Sequence, residues 1–396
     1  MKQQKQTIKF NYGLNNKTDT MALDLPYAKL AKNVIVTDTG KYSNRMGYSK
    51  IESGNYKEIF THKENKNSYV IIDDGLYIIE QFSPLVKTKL CDLLDSNSVT
   101  FTQYASDTTV LSKKDYFLIK ENNDLHNLNF SATSIFDVIS GSGSLPSGEY
   151  HVVTTYVDDY GRESGANFTS NVVLEENGSV VISNITQYGA FTNVYIKTPF
   201  STTFNLAGYT TSSVYRCNTL EMGLEVDTLG LNGIQPDSYL CTLWNGSIYT
   251  CSYDSSSNQT MVYWSEPGLI HLFNLQANFF VISGKVEMLC PTPEVLLIGT
   301  STAIYAYKET ALKKIQHYGV IPGKNWVENT ANLHNADVLI WTEKGLATAY
   351  PITLLTDEVV NLDNGAIANG SILEFNGTTS YVVSVLKGGE EYNKRS

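Results

Sequence analysis

The stretch VLLIGTSTAIYAYKE, residues 295–309, contains the pattern that decides the fold of this chain. An apolar run ends in a short polar turn, and a second apolar run follows at once, as in a β-hairpin. The pattern returns five times, in YVIIDDGLYIIE (69–80), YFLIKENNDLHNL (116–128), YLCTLWNGSIYTCSY (239–253), VLIWTEKGLATAYP (338–351) and ILEFNGTTSYVVSVL (372–386). A lone hairpin cannot bury its apolar face, whereas several stacked radially can. The repeat therefore predicts an all-β chain with a β-propeller of about six blades. Five or seven blades remain open, and a pair of ordinary β-sandwiches is the alternative.

One long gap separates the second and third copies of this pattern. It opens with SGSGSLPSG (140–148), whose composition predicts a flexible linker. Alternating or short apolar runs follow, in EYHVVTTYV (149–157), SVVISNI (179–185), TNVYIKT (192–198) and FNLAGYT (204–210). Strands at such spacing predict an inserted immunoglobulin- or fibronectin-like β-sandwich. The predicted division is an N-terminal arm with first strands (1–50), a first propeller segment (51–141), the sandwich (142–230), a second propeller segment (231–388) and a C-terminal tail (389–396).

The charge is unevenly distributed along the 396 residues. The net charge is −11, which argues against nucleic-acid readout by a basic face. Residues 1–50 nevertheless carry nine Lys or Arg and three Asp, a net +6, so the remainder carries −17. We expect the basic arm to dock on an acidic partner or on the next copy of the chain, the alternative being a solvated terminus. Charged residues make up only 17% while Tyr occurs 26 times, a composition suited to surfaces that meet other proteins.

No pattern in the sequence indicates catalysis. Adjacent residues of a strand point to opposite faces, so neighbouring carboxylates such as Asp73 and Asp74 make poor acid–base pairs. SYDSSSNQ (252–259) lacks the Gly and Trp of a sialidase Asp-box, and the histidines, including His151, His271 and His317, stand singly. The sequence therefore predicts a non-enzymatic protein with no catalytic, metal-binding or cofactor-binding residues and no cofactor.

The five cysteines lack the spacing of a zinc site or a disulfide framework. We expect Cys91, Cys217, Cys241, Cys251 and Cys290 to be small buried residues of a chain that folds in a reducing cytoplasm. The start MKQQKQTIKFNYG lacks the apolar core of a signal peptide, and no run approaches the roughly 20 apolar residues of a membrane span. The prediction is no stable membrane association.

Residues 25–51, LPYAKLAKNVIVTDTGKYSNRMGYSKI, resemble the opening of the packaged-DNA stabilisation, or tail hub, proteins of short-tailed bacteriophages. A Gly at a hairpin turn accepts positive φ, and Arg reaches carboxylates or carbonyls. The resemblance makes this segment a candidate lock onto a neighbouring subunit, with a plain hairpin inside one subunit as the alternative. The candidate subunit-interface residues are Asn33, Gly40, Arg45, Gly47 and Tyr48.

Two further stretches are similar to the same family. Residues 148–167 look like the first strands of its inserted sandwich, the matching residues being Tyr156, Asp159, Gly161, Glu163 and Ser164. Residues 244–274 resemble the blade that resumes its propeller, through Asn245, Gly246, the run Tyr263–Pro267 and Phe273. The three matches occur in the family's order and cover most of the chain.

The resemblance implies a structural virion protein at the portal–tail junction, made in the host cytoplasm. Such a hub forms a ring of its own copies, for which a hexamer or a dodecamer is expected. It extends the DNA channel, retains packaged DNA and anchors tail components. Its expected partners are itself, the portal or adaptor protein and other tail proteins, with non-specific passage of genomic DNA. A propeller-based receptor- or glycan-binding virion protein is the alternative, and a glycoside hydrolase ranks below it.

Overall fold

The computed structural model describes residues 34–36, 42–44, 51–130, 135–219, 221–328, 336–356, 367–375 and 378–386. These ranges contain strands and turns and no helix, which confirms the all-β prediction for them. Asn33, Gly40, Arg45, Gly47 and Tyr48 lie outside the described residues, as do the arm before residue 34 and the C-terminal tail. Within the segment that suggested a subunit lock, strands β1 (Val34–Val36) and β2 (Tyr42–Asn44) pair antiparallel.

Two four-stranded antiparallel sheets follow, each built from strands consecutive in sequence. Sheet A consists of β3 (Tyr56–Thr61), β4 (Ser68–Ile72), β5 (Gly75–Phe82) and β6 (Leu85–Asp92), and sheet B consists of β7 (Thr100–Tyr104), β8 (Asp107–Leu111), β9 (Tyr116–Ile119) and β10 (Leu125–Asn127).

Residues 137–217 form seven strands in two sheets. The strands are β11 (Asp137–Leu145), β12 (Gly148–Val157), β13 (Thr169–Leu174), β14 (Gly178–Ser183), β15 (Phe191–Lys197), β16 (Asn205–Thr210) and β17 (Tyr215–Cys217). Their orders are β11-β14-β17 and β13-β12-β15-β16. The sheets enclose a common core that includes Leu145, Tyr150, Val180, Ile182 and Ile196. We call residues 137–217 the seven-strand module.

Four further sheets complete the described chain. Sheet C consists of β18 (Ser238–Trp244), β19 (Ser247–Asp254), β20 (Gln259–Glu266) and β21 (Leu269–Phe273), with β22 (Phe279–Ser283) also paired to β20. Sheet D consists of β23 (Val286–Pro291), β24 (Leu296–Thr300), β25 (Ile304–Lys308) and β26 (Ala311–Gln316). The remaining strands are β27 (Gly323–Lys324), β28 (Trp326–Glu328), β29 (Val338–Thr342), β30 (Gly345–Thr348), β31 (Ile367–Phe375) and β32 (Thr378–Leu386). Sheet E is β28-β29-β30 and sheet F is β27-β31-β32.

The chain divides into two compact units, with residues 56–254 and 261–281 in the larger one. Within it, sheets A and B share a core through Tyr69, Ile71, Val110 and Ile119. Sheets B and C share another, and the buried Tyr116 hydroxyl of sheet B donates to the Ile270 carbonyl of sheet C at 2.9 Å. Sheets B and C therefore pack together although the seven-strand module lies between them in sequence.

The smaller unit, which contains residues 282–396, stacks its sheets in the same manner. Met288, Leu297 and Ile304 of sheet D share a core with Val338 and Ile340 of sheet E. Every residue of the second strands β4, β8, β24 and β29 is buried, although alternate side chains of a strand point to opposite faces. Both faces of these strands are therefore covered by neighbouring structure.

The sequence SGSGSLPSG does not form a flexible linker, so that prediction was wrong. Its first six residues belong to β11, which pairs with β14 along Asp137–Gly141 and again at Leu145. Glycine fits here because a β-carbon on Gly143 would overlap the carbonyl of Gly178. Close approach of two backbones, rather than a need for flexibility, accounts for this composition.

All six sequence repeats form antiparallel strand pairs, which confirms the hairpin prediction. The pairs occupy different positions in their sheets: 69–80 supplies strands two and three, 116–128 strands three and four, and 239–253 strands one and two. Among the cysteines, Cys217, Cys241, Cys251 and Cys290 are buried as expected and Cys91 is half-buried.

Candidate functional site

A connected set of polar side chains lies where the seven-strand module meets sheets B and C, within the larger unit. After β12 the chain turns through Asp158–Arg162, and Gly161 takes a φ of +79°. Asp158 Oδ1 accepts hydrogen bonds from the amides of Tyr160 and Arg162, both at 2.9 Å. Asp158 Oδ2 accepts from Arg162 Nε at 2.8 Å and from Nη2 at 2.6 Å. A local Asx turn with a charge-assisted bond pair thus fixes the Arg162 side chain.

The Arg162 guanidinium connects this turn to sheet B. Its Nη2 donates to the Asn127 carbonyl at 2.9 Å, and its central carbon lies 5.4 Å from the Phe130 ring centre. It also lies 5.5 Å from the ring centre of Tyr160, which stacks on His126 of β10 at 3.4 Å. Nη1 is buried without a hydrogen bond among the described residues, so the aromatic faces offset part of the cost of its desolvation.

His271 of β21 connects the same turn to sheet C. Its Nε2 lies 3.1 Å from the Glu163 carbonyl oxygen, and its ring centre lies 4.5 Å from that of Phe130. Burial lowers the pKa of His271 to about 4, because an imidazolium at this position would lose its hydration. We refer to Asp158, Tyr160, Arg162, His126, Phe130 and His271 as the Arg162 joint.

Glu163 extends the joint into the seven-strand module. Its Oε1 accepts hydrogen bonds from Asn193 Nδ2 at 3.0 Å, from the Tyr195 hydroxyl at 2.8 Å and from Thr155. Burial, reinforced by this hydrogen bond to Glu163, raises the pKa of Tyr195. The adjacent Ser164 hydroxyl accepts from the amide of Tyr156 at 3.0 Å. These contacts bind the loop to the outer face of β12 and β15.

After the seven-strand module, the chain returns to this site at residues 228–231 and contacts the loop that follows Glu163. The Ala166 amide donates to the Thr228 carbonyl at 3.0 Å, and the Gly230 amide donates back to the Ala166 carbonyl at the same distance. A β-carbon on Gly165 would overlap the carbonyl oxygen of Leu231, so only glycine fits this crossing.

The resemblance located some of the residues of this site. Tyr156, Gly161, Glu163 and Ser164 come together at the joint, whereas Asp159 is exposed on the turn. Sequence reasoning missed Arg162, for which the signal was an Asp four residues earlier in a Gly-containing turn. It also missed His126 and Phe130.

The third resembling stretch forms turns and core of sheet C. Asn245 and Gly246 take φ of 49° and 79°, as a two-residue hairpin requires. Tyr263 and Phe273 are buried in the core shared with sheet B. These residues shape the turn and the core of sheet C.

Metal clusters and membrane-spanning helices are not found in the described ranges. His, Cys, Asp and Glu side chains there form no group of three suited to a metal ion. Among the same residues, no helix has the length and hydropathy to cross a bilayer. A pocket of about 40 Å³ lined by Thr292, Glu294, Asp337 and Tyr350 has room for only a few water molecules.

No family model matches the chain, and neither does any curated protein. Among solved structures it is similar to the WD40 domain of SCAP from fission yeast, with a TM-score of 0.30 and 9% identity over 85% of this chain and 74% of that one. It is also similar to the complex of the fission yeast SREBP–SCAP binding domains, with a TM-score of 0.26 and 8% identity over 71% of this chain and 66% of that one. A third similar structure is PorZ, a surface component of the type-IX secretion system of Porphyromonas gingivalis. Its TM-score is 0.23, with 12% identity over 84% of this chain.

The chain spans 66% of the matched SREBP–SCAP chain and 44% of PorZ. At these TM-scores and identities the likenesses carry no conclusion about function.

Proposed function

We propose that the chain is a structural virion protein at a phage portal–tail junction, in which a propeller of about six blades carries an inserted immunoglobulin- or fibronectin-like sandwich. Sheets A to F would be the blades and the seven-strand module the insertion. Stacked sheets of consecutive strands, with second strands buried on both faces, support the propeller.

The observation that carries the functional proposal is the Arg162 joint. The loop that resembles the sandwich of tail hub proteins contacts sheets B and C through Arg162 and His271. A charge pair, stacked rings and a glycine-only crossing hold the module and these sheets of the larger unit in one arrangement. A connector that transmits force between the head and the tail needs such rigidity.

The charge distribution supports the same role. The chain after residue 50 carries −17, and an acidic surface along a channel repels the phosphates of passing DNA. The basic first 50 residues supply a complementary surface for ring assembly.

The decisive experiment is quantitative mass spectrometry of gradient-purified particles from the source, with this chain counted against the major capsid subunit. We expect a fixed low copy number, such as six or twelve, that survives a high-salt wash. A host membrane protein counted in the same fractions controls for contamination. Absence of the chain from particles would refute the connector proposal.

A receptor- or glycan-binding virion protein is the second candidate. Tyr188, Phe200 and Tyr209 of the seven-strand module are more than half exposed, as in carbohydrate-stacking surfaces. Binding of purified chain to host cells that is lost in Phe200→Ala, but kept in Tyr350→Ala, a change in the smaller unit, would favour it.

A further inference from the structure

The seven-strand module has an open sheet edge at β13. The order β13-β12-β15-β16 leaves one side of β13 without a backbone partner among the described residues. The opposite edge, β16, is covered, because the Leu206 amide donates to the Leu224 carbonyl at 2.8 Å and the Val226 amide donates to the Phe204 carbonyl at 3.0 Å. An open edge is a template for another strand.

Two other outer strands of the chain, β6 and β26, carry lysines that discourage such pairing. Strand β6 has Lys87 and Lys89, and β26 has Lys313 and Lys314. Strand β13, TSNVVL, has no charge and no proline, and its Val173 is 59% exposed. The sequence of this edge therefore permits addition of a strand.

The surroundings of β13 are acidic. Glu175 and Glu176 follow it directly and are exposed, and Glu149 lies opposite Val173 on β12. Neither Glu175 nor Glu176 makes an ion pair with any residue in the described ranges. Residues 137–230 carry ten Asp or Glu against three Lys or Arg, a net −7. A strand that joins this edge should be basic.

The sequence of residues 7–14, TIKFNYGL, has the complementary properties. Ile8, Phe10, Tyr12 and Leu14 alternate with Thr7, Lys9, Asn11 and Gly13, which is the period of a strand with one apolar face. Residues 1–18 contain four Lys and no acidic residue. The 19 residues from 15 to 33, which precede β1, can span at most roughly 60 Å when extended.

We propose that residues 7–14 of one copy add as a strand to the β13 edge of a second copy. Main-chain hydrogen bonds supply the affinity in this mode of binding, and the side chains select the partner. An antiparallel approach brings Lys5 of the arm to Glu175 and Glu176, which lie just beyond the end of β13. The inference rests on the proposed ring assembly and names the contact that links its copies.

The test mixes full-length chains of normal and ¹⁵N isotope content and treats the mixture with a carbodiimide, which joins a lysine amine to a carboxylate. We expect cross-links between a lysine of residues 2–9 in one isotope and Glu175 or Glu176 in the other. Val173→Lys should reduce their yield at least tenfold. Ile139→Lys, at the neighbouring β11 edge and similarly exposed, should leave the yield within twofold.

Charge reversal on both sides provides a second test that tolerates a folding defect in Val173→Lys. Lys5→Glu with Lys9→Glu should abolish association in sedimentation velocity, and adding Glu175→Lys with Glu176→Lys should restore it. The proposal would be overturned if cross-links formed only within chains of the same isotope content. It would also be overturned if the cross-link yield fell in Ile139→Lys and not in Val173→Lys. Mixed-isotope cross-links in a chain absent from particles would refute the connector role and leave this contact standing.

Discussion

The buried His271 predicts a specific loss of stability in acid. Its pKa is lowered from the ordinary 6.5 to about 4, so between these values the unfolded chain binds a proton that the folded chain excludes. Stability therefore falls as the pH drops from about 6.5 to about 4, and no further loss arises from this group below that. At about 1.4 kcal/mol per pH unit, the full loss is about 3 kcal/mol. Burial is the largest cause of the lowered pKa and Arg162 adds to it, whereas the hydrogen bond to the Glu163 carbonyl and the charge of Asp158 raise the pKa by less.

The assay is urea unfolding at pH 7, 6, 5 and 4, followed by tryptophan fluorescence, for the natural chain and for His271→Gln. Glutamine keeps an N–H to donate to the Glu163 carbonyl and does not titrate in this range. We expect His271→Gln to have a lower free energy of unfolding than the natural chain at pH 7. Between pH 7 and pH 4 the difference between the two chains should shift by about 3 kcal/mol in favour of the variant. Because other groups titrate in both chains, only the difference is interpreted. If the difference in the free energy of unfolding between the two chains stays constant from pH 7 to 4, His271 is not buried as described.

Three further predictions concern the joint and the thiols. Arg162→Met should destabilise the larger unit by about 2–4 kcal/mol in thermal or urea melts, because Asp158 loses its partner, and the added change Asp158→Asn should recover part of the loss. Gly165→Ala should lower the free energy of unfolding by more than about 3 kcal/mol or prevent soluble expression. Gly161→Asn should melt at a temperature close to that of the natural chain, because position 161 has open space and a positive φ that Asn tolerates. In native conditions at pH 8 an aromatic disulfide reagent should label Cys91 slowly, since its pKa is raised to about 11 by burial, and the other four thiols only after unfolding. Fast labelling of more than one thiol would contradict the burial.

The sequence predicts the strands of this fold better than their places in the sheets. A hairpin pattern such as 116–128 is the same whether it forms the second and third strands or the third and fourth. The places depend on packing, which buries both faces of β8 but not of β7. A recurrent hydroxyl residue marks the turn between the second and third strands more specifically. The Ser112 and Thr300 hydroxyls accept a hydrogen bond from a backbone amide in this turn, and the Thr342 hydroxyl donates one to a backbone carbonyl.

The composition of β11 misled sequence reasoning for a physical reason. Serine and glycine occur in flexible segments and also where two backbones must approach closely, and only the partner strand distinguishes the two cases. Gly143 and Gly178 are 35 residues apart, so no local pattern reveals their contact.

The candidate site was predictable only where its contacts are local. Asp158 and Arg162 belong to one turn, and the resemblance marked Gly161 and Glu163 beside them. His271, by contrast, lies 108 residues from Glu163, and the sequence shows it as one more isolated histidine. Contacts of this range arise from the tertiary arrangement and leave no periodic trace.

The insertion of the seven-strand module between two packed sheets has a consequence during translation. Sheets A and B consist of consecutive strands and can pair as soon as residues 56–127 have left the ribosome. Sheet C, which covers Tyr116 and Leu128, begins only at Ser238. At about 5–20 residues per second, that face of sheet B stays without its partner for on the order of ten seconds. A nascent chain stalled in the module therefore exposes an apolar sheet face, which is the state that a chaperone would have to protect.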